Sequence, residues 1–219
     1  MKISIHTDPI TNLKIDALAW PVTSDLEFPN DLKNAVGSLL GELTASGETK
    51  GQAAELTIIH SSQNEPIRNH YLVGVGDTLD AGTMFRAAGH AVRASVKRGC
   101  KSLAIHVPET SLVRAAIEGA LYGSYQNTAY KQNDAHELEQ LVICGTGDAA
   151  AGSTTGQAVN LTRELVNTPA NDLGPEEFAE CARTEGEAAG LEVDIHLGHT
   201  GGHIKIRVKL KAAFTLGRV

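Results

Sequence analysis

Three histidines near the end of the chain have the residue type and the close spacing of metal ligands. His196, His199 and His203 form an H-x2-H-x3-H pattern, and neutral imidazole is the commonest side-chain ligand of metal ions. A helix would be needed to bring the three rings together, but a Thr-Gly-Gly segment at 200–202 interrupts helical structure. No carboxylate or thiol follows His196 to complete a ligand set. We therefore interpret the cluster as accidental and expect no metal-binding residue in this chain.

Side chains for nucleophilic or acid–base catalysis are also not grouped in a known pattern. Cys100, Cys144 and Cys181 are widely spaced, without a CxxC pair or a Cys/His cluster, so buried reduced thiols are the expected state. No GxSxG sequence is present to expose a serine nucleophile. The other histidines that lie on or beside expected strands and helices are interpreted as packed or surface residues: His60, His70, His90 and His106. We predict no catalytic residue.

A glycine-containing segment follows one of the expected strands and has some features of a phosphate-binding loop. This segment, VGVGD at 73–77, lacks the third glycine of a dinucleotide fingerprint, the lysine of a P-loop and the downstream acidic residue. We therefore predict no cofactor-binding residue.

Composition excludes several classes of protein. The 219 residues are 42% hydrophobic and 21% charged, which is ordinary for a globular protein and unlike collagen, disulfide-rich or disordered chains. No apolar run approaches the roughly 20 residues that span a bilayer, and the N-terminus lacks the apolar stretch of a signal peptide. With 4% aromatic residues and a net charge of -7, a nucleic-acid surface is not expected. We expect a cytoplasmic protein without a membrane partner.

Apolar periodicity alternates between strand and helix along the chain. Strands are expected at 2–6, 15–22, 55–61, 70–75, 102–107, 138–145 and 191–197. Helices are expected at 29–43, 80–98, 111–125, 149–167 and 175–190. Such an order predicts an α/β fold with a mixed, mostly parallel sheet flanked by helices. The first two strands, joined by a turn, suggest an antiparallel or edge component, and Gly119 and Gly123 predict close helix packing.

The end of the chain differs from the rest in charge. No acidic residue follows Asp194, while the segment HIKIRVKLK at 203–211 alternates apolar and basic residues as an amphipathic strand does. It is interpreted first as an edge strand whose lysines discourage aggregation. Contact with a membrane surface or nucleic acid, and disorder, stay open as alternatives.

A proline- and asparagine-rich segment between two expected helices carries a family motif. The sequence at 160–182 contains an L-V-N-x-P-x-N-x-L-x-P run, at Leu165, Val166, Asn167, Pro169, Asn171, Leu173 and Pro175. Asparagine favours turns and proline stops helices, so a rigid crossover is expected there. Together with the stretches at 86–109 and 114–131, this run resembles the leucyl (cytosol) aminopeptidase family. The resemblance covers about 14–197 and is most specific over 114–175.

What the resemblance implies is a macro-domain-like N-terminal domain and a metal-dependent removal of N-terminal residues from peptides. Members of that family use two divalent cations, Mn or Zn, held by lysine, aspartate and glutamate in two signatures. One of these signatures, N-T-D-A-E-G-R, and its companion do not occur in this sequence. We therefore expect no cofactor in this chain.

The domain organisation follows from the same resemblance. We expect an N-terminal α/β domain at 1–148, a connecting helix at 149–167, the first piece of a catalytic domain at 168–197 and a divergent basic tail at 198–219. The resemblance ends near 197–201, which suggests a truncated protein or a change of reading frame.

Three functions are compatible with this sequence. We favour a non-catalytic assembly or interaction module, because family members form hexamers, so that self-association or a catalytic-domain partner is implied. One alternative is part of a two-metal aminopeptidase that a separate chain completes. The other is a macro-domain-like binder of small ligands such as nucleotides.

Overall fold

The computed structural model describes residues 1–10, 13–62, 65–127, 136–197 and 204–210. The chain forms two compact units, Met1–Leu161 and Thr162–Val219. Helix α5 (Ala150–Asn167) begins in the first unit and ends in the second.

A six-stranded sheet is the centre of the first unit. Its strands are β1 (Lys2–His6), β2 (Ala17–Thr23), β3 (Leu56–His60), β4 (Asn69–Gly76), β5 (Ser102–His106) and β6 (Gln140–Cys144). In the order β1-β6-β5-β2-β4-β3, every neighbouring pair is parallel except β3 and β4, which are antiparallel. The expected mixed, mostly parallel α/β sheet is confirmed.

Both faces of this sheet are covered by helices. Helices α3 (Ala81–Lys97) and α4 (Val113–Ser124) pack on the face that carries Leu103 and Ile105. The short helices α1 (Asn30–Val36) and α2 (Leu39–Ser46) contribute Leu32 and Leu40 to the core of the opposite face, around Trp20. Because both faces are buried, the central strands are apolar almost continuously rather than alternately.

Helices α3 and α4 approach each other at glycines. A Cβ atom added to Gly119 would overlap the backbone carbonyl of Phe85, and one added to Gly123 would lie 2.6 Å from the carbonyl oxygen of Gly89. The predicted close packing at Gly119 and Gly123 is confirmed. Asp80 fixes the start of α3 through a capping box, in which its carboxylate accepts a hydrogen bond from the backbone N–H of Thr83.

One carboxylate joins two neighbouring strands at the amino edge of the sheet. Oδ2 of Asp16 accepts hydrogen bonds from the backbone N–H groups of Lys101 and Ser102, both at 3.0 Å, and from the Ser102 hydroxyl at 2.9 Å. A guanidinium nitrogen of Arg68 lies 3.4 Å from the other carboxylate oxygen, Oδ1 of Asp16. Burial acts to raise the pKa of Asp16, but these hydrogen bonds and Arg68 outweigh it and hold the pKa below its usual range.

The second unit contains helix α6 (Pro175–Ala188) and an antiparallel pair of strands, β7 (Leu191–Leu197) and β8 (Ile204–Leu210). Pro175 occupies the first turn of α6 with Glu176 and Glu177, where the helix dipole favours acidic side chains. The amphipathic strand expected at 203–211 is present as β8, which pairs with β7. Positions 198–203 and 211–219 lie outside the described residues.

One expectation about local structure is confirmed only in its edge alternative, and another is wrong. The first two strands do not pair with each other: β1 lies at a sheet edge beside β6, as the edge alternative predicts, while β2 lies inside the sheet between β5 and β4. The helix expected at 29–43 is broken into α1 and α2, because Gly37 adopts a left-handed φ of 65°.

Candidate functional site

Three side chains that could do chemistry lie in one row at the carboxyl edge of the sheet. His6 on β1 and His106 on β5 are both aligned with Cys144 on the strand between them, β6. An open cleft of about 530 Å³ lies beside this row and is also lined by Asp8 and Asp31. In open α/β sheets, ligands bind preferentially at this edge, so the cleft is the first candidate site.

The row does not form a metal centre. Burial raises the pKa of the Cys144 thiol to about 12, so this sulfur stays protonated at neutral pH and is neither a good ligand nor a nucleophile. Across the described residues, no group of three His, Cys, Asp or Glu side chains is placed to hold a metal ion. These residues do not fit the two divalent cations that the family resemblance implies. His199 and His203 lie outside the described residues.

The charges of the cleft disfavour a phosphate ligand. Asp8 and Asp31 are both exposed, and no Lys or Arg is among the described residues that line the cleft. Burial lowers the pKa of His106, only partly opposed by Asp31, so this ring is neutral near pH 7. Its Nδ1 atom is buried without a hydrogen-bond partner among the described residues. The charged side chains in the described lining of the cleft are therefore carboxylates, which repel the phosphate groups of a nucleotide.

The strand histidines form a buried aromatic layer around the single tryptophan. The ring centroids of Trp20 and His106 are 5.1 Å apart, and those of Trp20 and His70 are 6.1 Å apart. Nε1 of Trp20 donates a hydrogen bond of 3.1 Å to Nδ1 of His70. Sequence reasoning placed these histidines on strands but did not predict this contact, because Trp20 and His70 meet only through the pairing of β2 and β4.

The other singled-out residues are dispersed. His60 contacts Oδ1 of Asn69 at 2.7 Å on the edge pair β3 and β4, while His90 lies on α3, where burial lowers its pKa. Cys100 and Cys144 are buried free thiols, as expected, whereas Cys181 is half-buried.

Gly74 lies in the segment with some features of a phosphate-binding loop, and it allows two backbone segments to pack closely. A Cβ atom at this position would overlap the backbone carbonyl of Gln52. The glycine is therefore required for the close approach of two chain segments.

A second feature with functional potential is a set of exposed apolar side chains in the second unit. Three large apolar side chains are exposed there: Val166 at the end of α5 by 78%, Phe178 on α6 by 45% and Val208 on β8 by 51%. Ala179 is the one buried residue among those whose burial is described in this unit. Val166 belongs to the L-V-N-x-P run, so part of that motif is largely exposed.

No helix in the described part of the chain is both long enough and apolar enough to cross a membrane.

Comparison with known proteins gives consistent relationships. A sequence model described as "Cytosol aminopeptidase family, N-terminal domain" matches residues 22–134. A probable cytosol aminopeptidase of Solibacter usitatus is 32% identical over 207 residues, covering 89% of this chain and 42% of that protein. One from Mycobacterium leprae is 40% identical over 131 residues, covering 52% of this chain and 24% of that protein. The chain thus spans less than half the length of these curated relatives.

Solved structures agree on the fold. A tomato leucine aminopeptidase mutant superposes with a TM-score of 0.75 at 19% identity, over 90% of this chain and 44% of that one. The bottromycin maturation enzyme BotP, in complex with Mn, gives a TM-score of 0.66 at 22% identity, over 84% of this chain and 39% of that one. At these identities the likeness concerns the fold.

Proposed function

Because this chain belongs to the cytosol aminopeptidase family, whose N-terminal domain it carries, we propose that its residues form a non-catalytic assembly module. In this proposal, residues 1–148 are the N-terminal domain, 149–167 connect it, 168–197 begin a catalytic domain and 198–219 are a divergent basic tail. Peptide hydrolysis would be performed by residues outside this sequence. The relatives' printed name supports a cytosolic location.

The observation that carries the proposal is the apolar surface of the second unit. Large apolar side chains that are exposed next to one another mark a surface that another chain covers, and in this proposal the three side chains belong to one such surface. Val166, Phe178 and Val208 are such side chains, and α6 buries only Ala179 of its 14 residues. A second copy of this chain is one occupant of this surface. The catalytic part of an aminopeptidase is the other, since the relatives are more than twice as long as the matched segment.

An activity assay tests the non-catalytic part of the proposal. The purified chain is incubated with Mn²⁺ or Zn²⁺ and leucine p-nitroanilide, and p-nitroaniline release is compared with a blank. We expect no turnover. Metal-dependent release that a chelator abolishes would contradict the proposal.

Light scattering coupled to size-exclusion chromatography tests the assembly part. We expect a mass above that of one 23.1 kDa chain, with the proportion of the larger species rising with concentration. A strictly monomeric chain would exclude self-association and leave the catalytic-domain partner. That partner is tested by a pull-down with the separately expressed remainder of the Solibacter usitatus relative.

The second candidate is one half of a two-metal aminopeptidase that a separate chain completes. It is favoured by the same length difference, since the chain spans 42% of its Solibacter relative. Mixing the two halves in the presence of Mn²⁺ distinguishes this candidate, because activity that depends on both chains would support it. The nucleotide-binding alternative is disfavoured by the carboxylates of the cleft, and we expect a flat calorimetric titration with ADP-ribose.

A further inference from the structure

A cavity separate from the carboxyl-edge cleft lies between α1 and the edge strand β3. Its volume is about 590 Å³, within the ~300–1,000 Å³ that small-molecule sites occupy. Ile59 and Ile67, which are 7% and 6% exposed, form part of an apolar wall, and Leu39, 38% exposed, lies among the residues that border it. The proposed assembly function makes no use of this cavity.

A largely buried histidine side chain borders this cavity and can offer it a hydrogen-bond donor. His70 lines it and is only 4% exposed. Its Nδ1 accepts the hydrogen bond from Nε1 of Trp20, and because an indole N–H can only donate, Nδ1 carries no proton. Burial lowers the pKa of His70, so the ring is neutral and its proton is on Nε2. In the described chain, Nε2 has no hydrogen-bond partner.

The charges around the cavity restrict its ligand. Glu65 lines it, and neither Lys nor Arg is among the described residues that do so. A carboxylate or phosphate would therefore be repelled without a compensating cation. An uncharged amide fits better, because its carbonyl oxygen accepts from Nε2 of His70 and its N–H groups can donate to the Glu65 carboxylate.

We propose that this cavity binds a compact, uncharged aliphatic amide, with the apolar group against Ile59 and Ile67 and the carbonyl oxygen on Nε2 of His70. The buried donor supplies orientation, and the apolar wall supplies most of the binding free energy. A bound carbonyl polarises the His70 ring and changes its hydrogen bond with Trp20. Because Trp20 is the only tryptophan of the chain, its fluorescence reports binding directly.

The test is a titration of the full chain with isovaleramide, followed by Trp20 fluorescence and by the ¹⁵N shift of the His70 ring. We expect a saturable change with a midpoint on the order of 1 mM, as befits so small a ligand. Isovalerate, which has the same carbon skeleton and a negative charge, should bind at least about tenfold more weakly. No saturation with isovaleramide, or equal binding of isovalerate, would overturn the proposal.

A matched pair of variants identifies the donor. His70→Asn places an amide oxygen near the position of Nδ1, so it can still accept from Trp20, but it removes the Nε2 donor. We expect this variant to bind isovaleramide about tenfold more weakly. The same substitution at His90, which lies on α3 and is not among the residues that line the cavity, should change binding less than twofold. An equal loss in both variants would overturn the assignment of His70.

A third variant tests the cavity if His70→Asn does not fold. Leu39→Tyr adds a larger side chain at an exposed position that borders the cavity, without entering the core. With the far-ultraviolet circular dichroism spectrum unchanged, we expect loss of isovaleramide binding. Undiminished binding in this folded variant would place the ligand elsewhere and contradict the proposal.

Discussion

The two units of this chain contain helices of similar length that are buried to very different extents. Helix α3 buries nine of its 17 residues in the first unit, whereas α6 buries one of its 14 residues. Most helical stability in proteins comes from tertiary packing of one face rather than from intrinsic propensity. The first unit is therefore stabilised by its own buried core, whereas the helix of the second unit buries little of its surface.

Glycine substitutions give the largest expected difference between the units. Gly119→Ala places a methyl group onto the backbone carbonyl of Phe85. Because this contact is with backbone, it can be relieved only by moving one helix away from the other. We expect a loss of about 3 kcal/mol in the free energy of unfolding of the first unit. In the second unit, Gly186→Ala meets only a methyl group of Val193, which can rotate, and alanine favours the helix. Its effect should lie within about 1 kcal/mol of zero.

Urea unfolding measures this pair. Trp20 fluorescence follows the first unit alone, and circular dichroism at 222 nm follows both units. Equal losses from Gly119→Ala and Gly186→Ala would show that the second unit is packed as tightly as the first.

Carboxylate substitutions give the next largest difference. Asp16→Asn removes the charge that accepts three hydrogen bonds from Lys101 and Ser102, and should cost about 2 kcal/mol. In the second unit, Asp194 forms a salt bridge of 3.4 Å with Lys209, with both side chains substantially exposed. Asp194→Asn should cost less than about 0.5 kcal/mol. Differential scanning calorimetry of the two variants makes the comparison, and a larger effect at Asp194 would reverse it.

Acid should weaken the first unit through its buried histidines. The pKa values of His70 and His106 lie below the ordinary value of 6.5 in the folded state, because burial disfavours their charged form. The unfolded chain therefore binds more protons below about pH 6.5, and stability falls as the pH is lowered through that region. Each histidine contributes a slope of up to about 1.4 kcal/mol per pH unit.

Trp20-monitored urea unfolding at pH 7.5, 6.5 and 5.5 checks this dependence. The His70→Asn variant should show a smaller slope than the original chain, whatever its absolute stability. An unchanged slope would mean that His70 is not linked to folding.

Surface substitutions in the second unit should have the smallest effect on stability and a large effect on association. Val166→Ser and Phe178→Ser change exposed side chains, so the free energy of unfolding should shift by less than about 0.5 kcal/mol. If these side chains mediate assembly, the dimerisation constant should weaken at least about tenfold. Val159→Ser is the matched control, because Val159 is 41% exposed and lies on the part of α5 that belongs to the first unit. Sedimentation equilibrium measures the dimerisation constant of each of the three variants. Equal constants would exclude the exposed side chains of the second unit from the interface.

Strand and helix positions were predictable because they depend on local pattern. The continuous apolar run at 70–75 becomes β4, between β2 and the edge strand β3, and the small-residue helix at 80–98 becomes α3 against α4. The break at Gly37 was missed, because the leucine spacing on either side of it reads as one helix. Strand neighbours were also missed for the first two strands, since an edge position for β1 depends on β6, far along the chain.

The candidate sites were much less predictable than the fold. His6, Cys144 and His106 form a row only through the registers of β1, β6 and β5. His70 faces an indole because β2 and β4 are neighbours, although Trp20 and His70 are 50 positions apart. Sequence spacing carries no information on such contacts. The family motif, in contrast, was readable directly from residues 165–175, because it is contiguous.

The position of β1 has a consequence for the timing of synthesis. Residues 2–6 are synthesised before the other strands of this sheet, and their pairing partner at 140–144 follows 138 residues later. At the usual ~5–20 residues per second, β1 waits on the order of ten seconds for β6. Strands β2, β3 and β4 are adjacent at the opposite end of the sheet and are complete long before that, so β5, β6 and β1 are added to them in turn. Strand β1 is made before the other strands of this sheet but is placed after them, and a nascent chain that stalls before residue 140 leaves it without a partner.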